Sequence, residues 1–138
     1  MHPILSQTRR LGLYLLAWVP LAGLLIYLLA GRGQLGFGEA AVFALIVCFI
    51  YAFMCLSAWY SCRSTPIETS SFARLLSTHL LAAMFLSLMW LLLAIGFAFA
   101  LSFIPTFHGL NERVKQVTGL LWTVGILLYL LSVGLHYV

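Results

Sequence analysis

Polar residues gather in four stretches of the chain, at about 1–10, 31–39, 62–74 and 105–116, and long apolar runs lie between and after them. A helix needs roughly 20 apolar residues to cross the ~30 Å hydrocarbon core of a bilayer. Four runs meet that length, at about 11–30, 40–61, 75–104 and 117–138. The first, LGLYLLAWVPLAGLLIYLLA, carries no charge and stops at GRGQLGFG, where four glycines in eight residues end a helix. The second stops at CRSTPIETSS, a polar turn containing Pro66. The third exceeds the length of a crossing, which predicts a tilted helix or a last turn outside the hydrocarbon. PTFHGLNERVKQ is the next polar break, and the fourth run is still apolar at Val138. Short connections make sequential helices antiparallel neighbours. The pattern therefore predicts an all-α integral membrane protein, an up-down-up-down four-helix bundle with residues 1–138 as one transmembrane domain. The first run is too long for a secretory signal and lacks a small-residue exit, so it is read as a retained span.

Composition sharpens the solvent. Of 138 residues, 64% are hydrophobic and 7% are charged, against roughly 25% charged in an average soluble domain. Mean hydropathy is +1.10. The net charge of +4 comes from seven Lys and Arg at the ends of the runs, not from a basic patch, so the partner is the lipid bilayer and no nucleic acid is expected. Arg9, Arg10, Arg63 and Arg74 fall on the side of the termini, and Arg32, Arg113 and Lys115 fall on the other. That balance, with the Arg9-Arg10 pair beside the first helix, predicts cytoplasmic termini.

Cys48, Cys55 and Cys62 recur every seven residues, on one stripe of the second helix. Seven helical residues rise about 10.5 Å, whereas a disulfide needs Cα atoms within about 7 Å and a metal needs each sulfur at about 2.3 Å. No pair in that helix meets either requirement, so no metal or cofactor is expected, and the thiols read as small buried apolar groups. Trp59, Tyr60 and Arg63 beside them are the residues of a membrane interface, with Arg9, Arg10 and Arg74 as further anchors and Tyr14 and Tyr137 at the same face.

His79 is the ionisable residue inside an apolar run, in RLLSTHLLAAMF. An intramembrane histidine is a functional candidate, here for pH or ligand sensing, and a hydrogen bond to Ser or Thr is the bland alternative. His136 sits at a similar depth in the fourth run, where the two imidazoles, near Arg74, would titrate close to neutral pH. Pro20 in AWVPLAGLL removes one backbone donor and predicts a kink, with Gly23 allowing a neighbour close. Beside Trp18, that kink is a candidate pocket for a small hydrophobic ligand or quinone, with plain packing as the alternative. Ala94 with Ala98, and Gly96 with Ala100, make small-xxx-small faces for a bundle or a dimer seam. No catalytic motif is present and Asp is absent. Glu39, Glu68 and Glu112 lie in or beside loops, which disfavours a small transporter or channel subunit. The missing partner spacing of the cysteines disfavours a membrane thiol redox protein.

MHPIL, LGLYLLAWVPLAGLL, YAFMCLSAWYSCRS, RLLSTHLLAA and LLYLLSVGLHYV, taken together, resemble the membrane region of LytS/AlgZ-type sensor histidine kinases. The resemblance covers all four runs and includes His2, Trp59, Tyr60, Arg63, His79 and His136. It implies a bacterial inner-membrane sensor and dimerisation module with both termini cytoplasmic. In the parent protein the last helix would lead to an ATP-dependent protein-histidine kinase, acting on a response regulator. The phospho-accepting PHFLFN-like box is not in these residues, so His2, His79, His108 and His136 do not carry that role, and the chain by itself has no enzyme activity to expect.

Overall fold

A computed structural model of the chain describes residues 8–32, 35–66 and 70–137. It is all-helical among these residues: α1 (Thr8–Arg32), α2 (Phe37–Cys55), α3 (Ala58–Ser64), α4 (Phe72–Leu101), α5 (Leu110–Gln116) and α6 (Thr118–Tyr137), with a 3-10 turn at Pro105–Phe107. Four stretches are long and apolar enough to cross a membrane, namely Thr8–Arg32, Phe37–Ser64, Phe72–Leu101 and Thr118–Leu135. The four apolar runs of the sequence thus become the four long helical stretches.

Local chemistry sets the ends. The Glu39 carboxylate reaches back to accept the Gly36 N–H at 2.9 Å, so α2 starts within the glycine-rich stretch instead of after it. The Ser71 hydroxyl accepts the Arg74 N–H at 3.4 Å and caps α4. Part of the expected polar break before the fourth span is helical: Gly109 turns the chain at φ +76°, a conformation that favours glycine, and α5 follows directly. Leu110 and Val114 on α5 are fully buried, so an apolar stripe on this short polar helix docks it against the bundle.

α2 is the central helix. Ala40, Phe43, Ala44, Val47, Cys48, Tyr51, Ala52 and Cys55 alternate three and one apart, which is the stripe spacing of a helix face, and all are buried. Phe43 stacks on Phe97, the Trp90 indole N–H donates to the Val47 carbonyl at 2.8 Å, and Tyr51 stacks on Trp90 at 4.5 Å. These pairs climb α2 while descending α4. On the other flank Tyr51 meets Gly125, Cys55 meets Ser132 and Thr65 meets Tyr137, so α2, α3 and α6 ascend together. Glu39 at the start of α2 and Arg113 on α5 close the opposite end with two 2.8 Å bonds, in fork-to-fork geometry.

Of the small residues on α4, Ala94 and Ala98 are buried inside the bundle, whereas Gly96 and Ala100 face outward. Gly23 also corrects its expected role, since nothing lies within 4 Å of where its side chain would begin. The close approach is at Gly125 instead, where an added Cβ would stand 3.0 Å from the Trp90 ring and 3.1 Å from Ser87 Cβ.

Candidate functional site

The second apolar run is not one helix. Its hydrogen bonds tighten after Cys55: Leu56 N–H donates to Phe53 O, Ser57 N–H to Met54 O and Trp59 N–H to Leu56 O, each three residues back instead of four. This 3-10 step skips two carbonyls, those of Ala52 and Cys55. In hydrocarbon each unsatisfied backbone group costs several kcal/mol, and both are taken up by side chains from other helices. The Tyr14 hydroxyl of α1 donates to Ala52 O at 2.6 Å, and the Ser132 hydroxyl of α6 donates to Cys55 O at 3.4 Å. Side-chain insertion into the helical ladder is a recognised cause of a break, and mid-helix 3-10 stretches often mark hinges. No proline or glycine lies between Cys48 and Thr65, so the pattern of the sequence carries no sign of it.

Between the two tethers lies a cavity of about 230 Å³, lined by Tyr14, Ala17, Trp18, Pro20 and Leu21 of α1 and by Leu128, Leu131, Ser132 and Leu135 of α6. Trp18 and Pro20, singled out as a pair in the sequence, both stand on its wall. Trp18 is buried and edge-on to both Tyr14, at 6.1 Å, and Tyr51, at 6.2 Å. α1 continues through Pro20, which faces outward. The lining is aliphatic and aromatic apart from the Tyr14 and Ser132 hydroxyls.

A second polar cluster sits where α3, α4 and α6 meet. The Tyr137 hydroxyl donates to the Thr65 carbonyl at 2.7 Å and lies 2.7 Å from His79 Nε2, while the Thr65 hydroxyl lies 3.3 Å from both. His79 is 4% exposed, and its Nδ1 has no hydrogen-bond partner among the described residues. The threonine partner expected for His79 is present, and Tyr137 joins it. Tyr14 and Tyr137, read as interfacial belt residues, in fact turn their hydroxyls inward. His136 lies in α6, but its side chain, like all of His2 and Glu68, is outside the described residues.

Of the residues expected as interface anchors, Trp59 and Arg63 meet, the guanidinium standing 5.3 Å over the indole ring. Tyr60, Arg9, Arg10 and Arg74 are exposed. Cys48, Cys55 and Cys62 are free and buried, and the break between Cys55 and Cys62 means that they do not share one continuous helix. Among the described residues no three His, Cys, Asp or Glu side chains gather as a metal site would require.

The central polar node, Tyr51 with Ser87 and Gly125, gave no signal by motif. A tyrosine, a serine and a tryptophan inside apolar runs were the available sign, because each buried hydroxyl or indole must find a partner. Comparison with protein-family models, curated proteins and solved structures finds no match for this chain.

Proposed function

We propose that the chain is the membrane-embedded sensor and dimerisation module of a LytS/AlgZ-type sensor histidine kinase, an up-down-up-down bundle in a bacterial inner membrane with both termini cytoplasmic. The order of the interhelical pairs supports the topology, and the cation balance supports the orientation. The observation that carries the reading is the binding of Tyr137, in the last turn of α6, to both Thr65 after α3 and His79 on α4. A change in the packing of those helices acts directly on the segment that, by the resemblance, leads to the kinase. A ligand or bilayer state shifts such a module only by favouring one packing over another. Gly96 and Ala100 on the outer face of α4 are suited to the second copy of a dimer.

The transporter reading has less support, because Glu39 is engaged with Arg113 at the end of a span and Glu112 is paired with Lys115 on α5. The thiol redox reading has less support too, since all three cysteines are buried.

The test is made on the full reading frame in native membranes. Incubation with ATP is expected to give an acid-labile phosphate on histidine, and single cysteines placed at Leu131 and Leu135 in a background without Cys48, Cys55 and Cys62 are expected to crosslink differently in kinase-on and kinase-off conditions. A reading frame with no kinase following Val138 overturns the kinase assignment. Unchanged crosslinks overturn the signalling route through α6.

A further inference from the structure

We infer that the cavity between α1 and α6 is a slot for one acyl chain of a bilayer phospholipid. Such a site rests on the membrane reading of the four long helices and not on an attached kinase.

Shape is the first constraint. The lining runs from Tyr14 to Leu21 on α1 and from Leu128 to Leu135 on α6, two turns of each helix. At 1.5 Å per residue the space is about 10 Å long, so its volume of about 230 Å³ leaves a section of roughly 20 Å², about 5 Å across. Carbon atoms in contact stand about 3.5–4.0 Å apart, so a single extended hydrocarbon chain matches that width and a fused ring system does not. Access is the second. Leu131 and Leu135 are 53% and 69% exposed, so the slot opens sideways, on the surface that faces lipid in the membrane reading. α1 packs chiefly on α2, and α6 on α4 and α3, so the two walls do not close the seam between them.

Chemistry is the third. The two hydroxyls in the lining are both engaged: Tyr14 donates to Ala52 O and is also bonded with Trp18, and Ser132 donates to Cys55 O and has a further interaction besides. A guest bearing a hydroxyl, a carbonyl or a charge would leave that group unpaired in the slot, at about 1–3 kcal/mol, or would take a tether from a backbone carbonyl at a similar cost. A saturated chain carries no such group and meets the apolar faces of Trp18, Pro20, Leu21 and the leucines of α6. In a bilayer the chains of neighbouring lipids stand at the mouth while their headgroups remain at the interface, so a chain reaches the slot without leaving hydrocarbon. Once lodged, it lies beside the two hydroxyls that hold the break between α2 and α3.

The test places the full chain in phosphatidylcholine nanodiscs doped with a phosphatidylcholine that carries a diazirine midway along one acyl chain, and maps the adducts formed on irradiation by tandem mass spectrometry. Leu16 and Leu24, exposed on α1, report ordinary lipid contact, and Leu25, buried on α1 outside the lining, reports background. Trp18 is only 5% exposed, yet it is expected to be labelled at a level near that of Leu24 while Leu25 stays bare. Leu131→Trp and, separately, Leu135→Trp fill the slot from exposed positions. Each is expected to remove the Trp18 adduct and to leave the adducts at Leu16 and Leu24 and the circular dichroism unchanged. Adducts at Leu16 and Leu24 without one at Trp18 overturn the site and leave the seam to a helix of a second copy or to nothing. A Trp18 adduct that survives in either folded variant overturns it too. Adducts at none of the three positions overturn the membrane reading itself, whereas a reading frame without a kinase leaves the labelling result standing.

Discussion

The Tyr51 hydroxyl donates to the carbonyl of Gly125 at 2.7 Å, at a level where α2, α4 and α6 all meet. The same oxygen lies 3.1 Å from Ser87 Oγ, and the Tyr51 ring stacks on Trp90. Gly125 permits this convergence because a side chain there would meet Trp90 and Ser87.

Gly125→Ala is therefore expected to destabilise the bundle by about 1–3 kcal/mol, the range for overpacking a core. Tyr51→Phe, which keeps the ring and removes the hydroxyl, is expected to cost about 0.5–1.5 kcal/mol by losing the bonds to Gly125 O and Ser87 Oγ, while the Gly125 carbonyl keeps its helical partner. Reversible unfolding in mixed detergent measures both. A Gly125→Ala protein as stable as the parent would mean that α6 stands farther from Trp90.

The two tethers at the break of the second span differ in length, 2.6 Å for Tyr14 and 3.4 Å for Ser132. Tyr14→Phe is expected to lose more stability than Ser132→Ala, by about 1 kcal/mol, since a short, well-formed hydrogen bond contributes more than a stretched one. Amide hydrogen exchange should quicken around 52–59 in either variant, while exchange in α4 near Ala94 stays slow. Uniform acceleration along the chain would contradict a local role.

Cys48, Cys55 and Cys62 are all under 8% exposed. Membrane-permeant N-ethylmaleimide is expected to leave all three unmodified in the native bundle and to label three after denaturation, read as added mass. Rapid native labelling of Cys55, which is wholly buried, would show that the break opens on the time scale of the reaction.

Arg113 holds Glu39 with two parallel bonds and also donates to the carbonyls of Gly109 and His108. Arg113→Lys keeps the charge and loses the fork, so it is expected to recover less than half of the stability removed by Arg113→Ala. Full recovery by lysine would assign the contact to charge alone.

Helix number and approximate extent were legible because bilayer thickness imposes a length that composition reveals at once, and the runs near 11–30 and 75–104 became α1 and α4 with shifts of about three residues at their ends. The Trp18 and Pro20 pair was legible as a candidate wall of a pocket for the same reason that it is visible in the fold, since Pro20 sits two residues beyond an aromatic anchor. The break after Cys55 was not, because it arises from hydroxyls on α1 and α6 that compete for carbonyls of α2, and nothing in the local stretch CLSAWY encodes those partners. The Glu39 and Arg113 pair joins residues 74 apart in sequence. Only the folded chain relates them. α5 was hidden by its charges, which place its polar face to water while Leu110 and Val114 alone mark the face that docks.

The interruption of the second span has a mechanical corollary. Through Cys62 with Val133, Ser61 with Tyr129 and Thr65 with Tyr137, α3 is fastened to the final three turns of α6. On the same short helix the Arg63 guanidinium lies over the Trp59 ring. A tilt of α3 about that break would therefore pull on the last turns of α6, with two hydroxyl groups as its fulcrum and the stacked rings of Tyr51 and Trp90 standing on the far side of it.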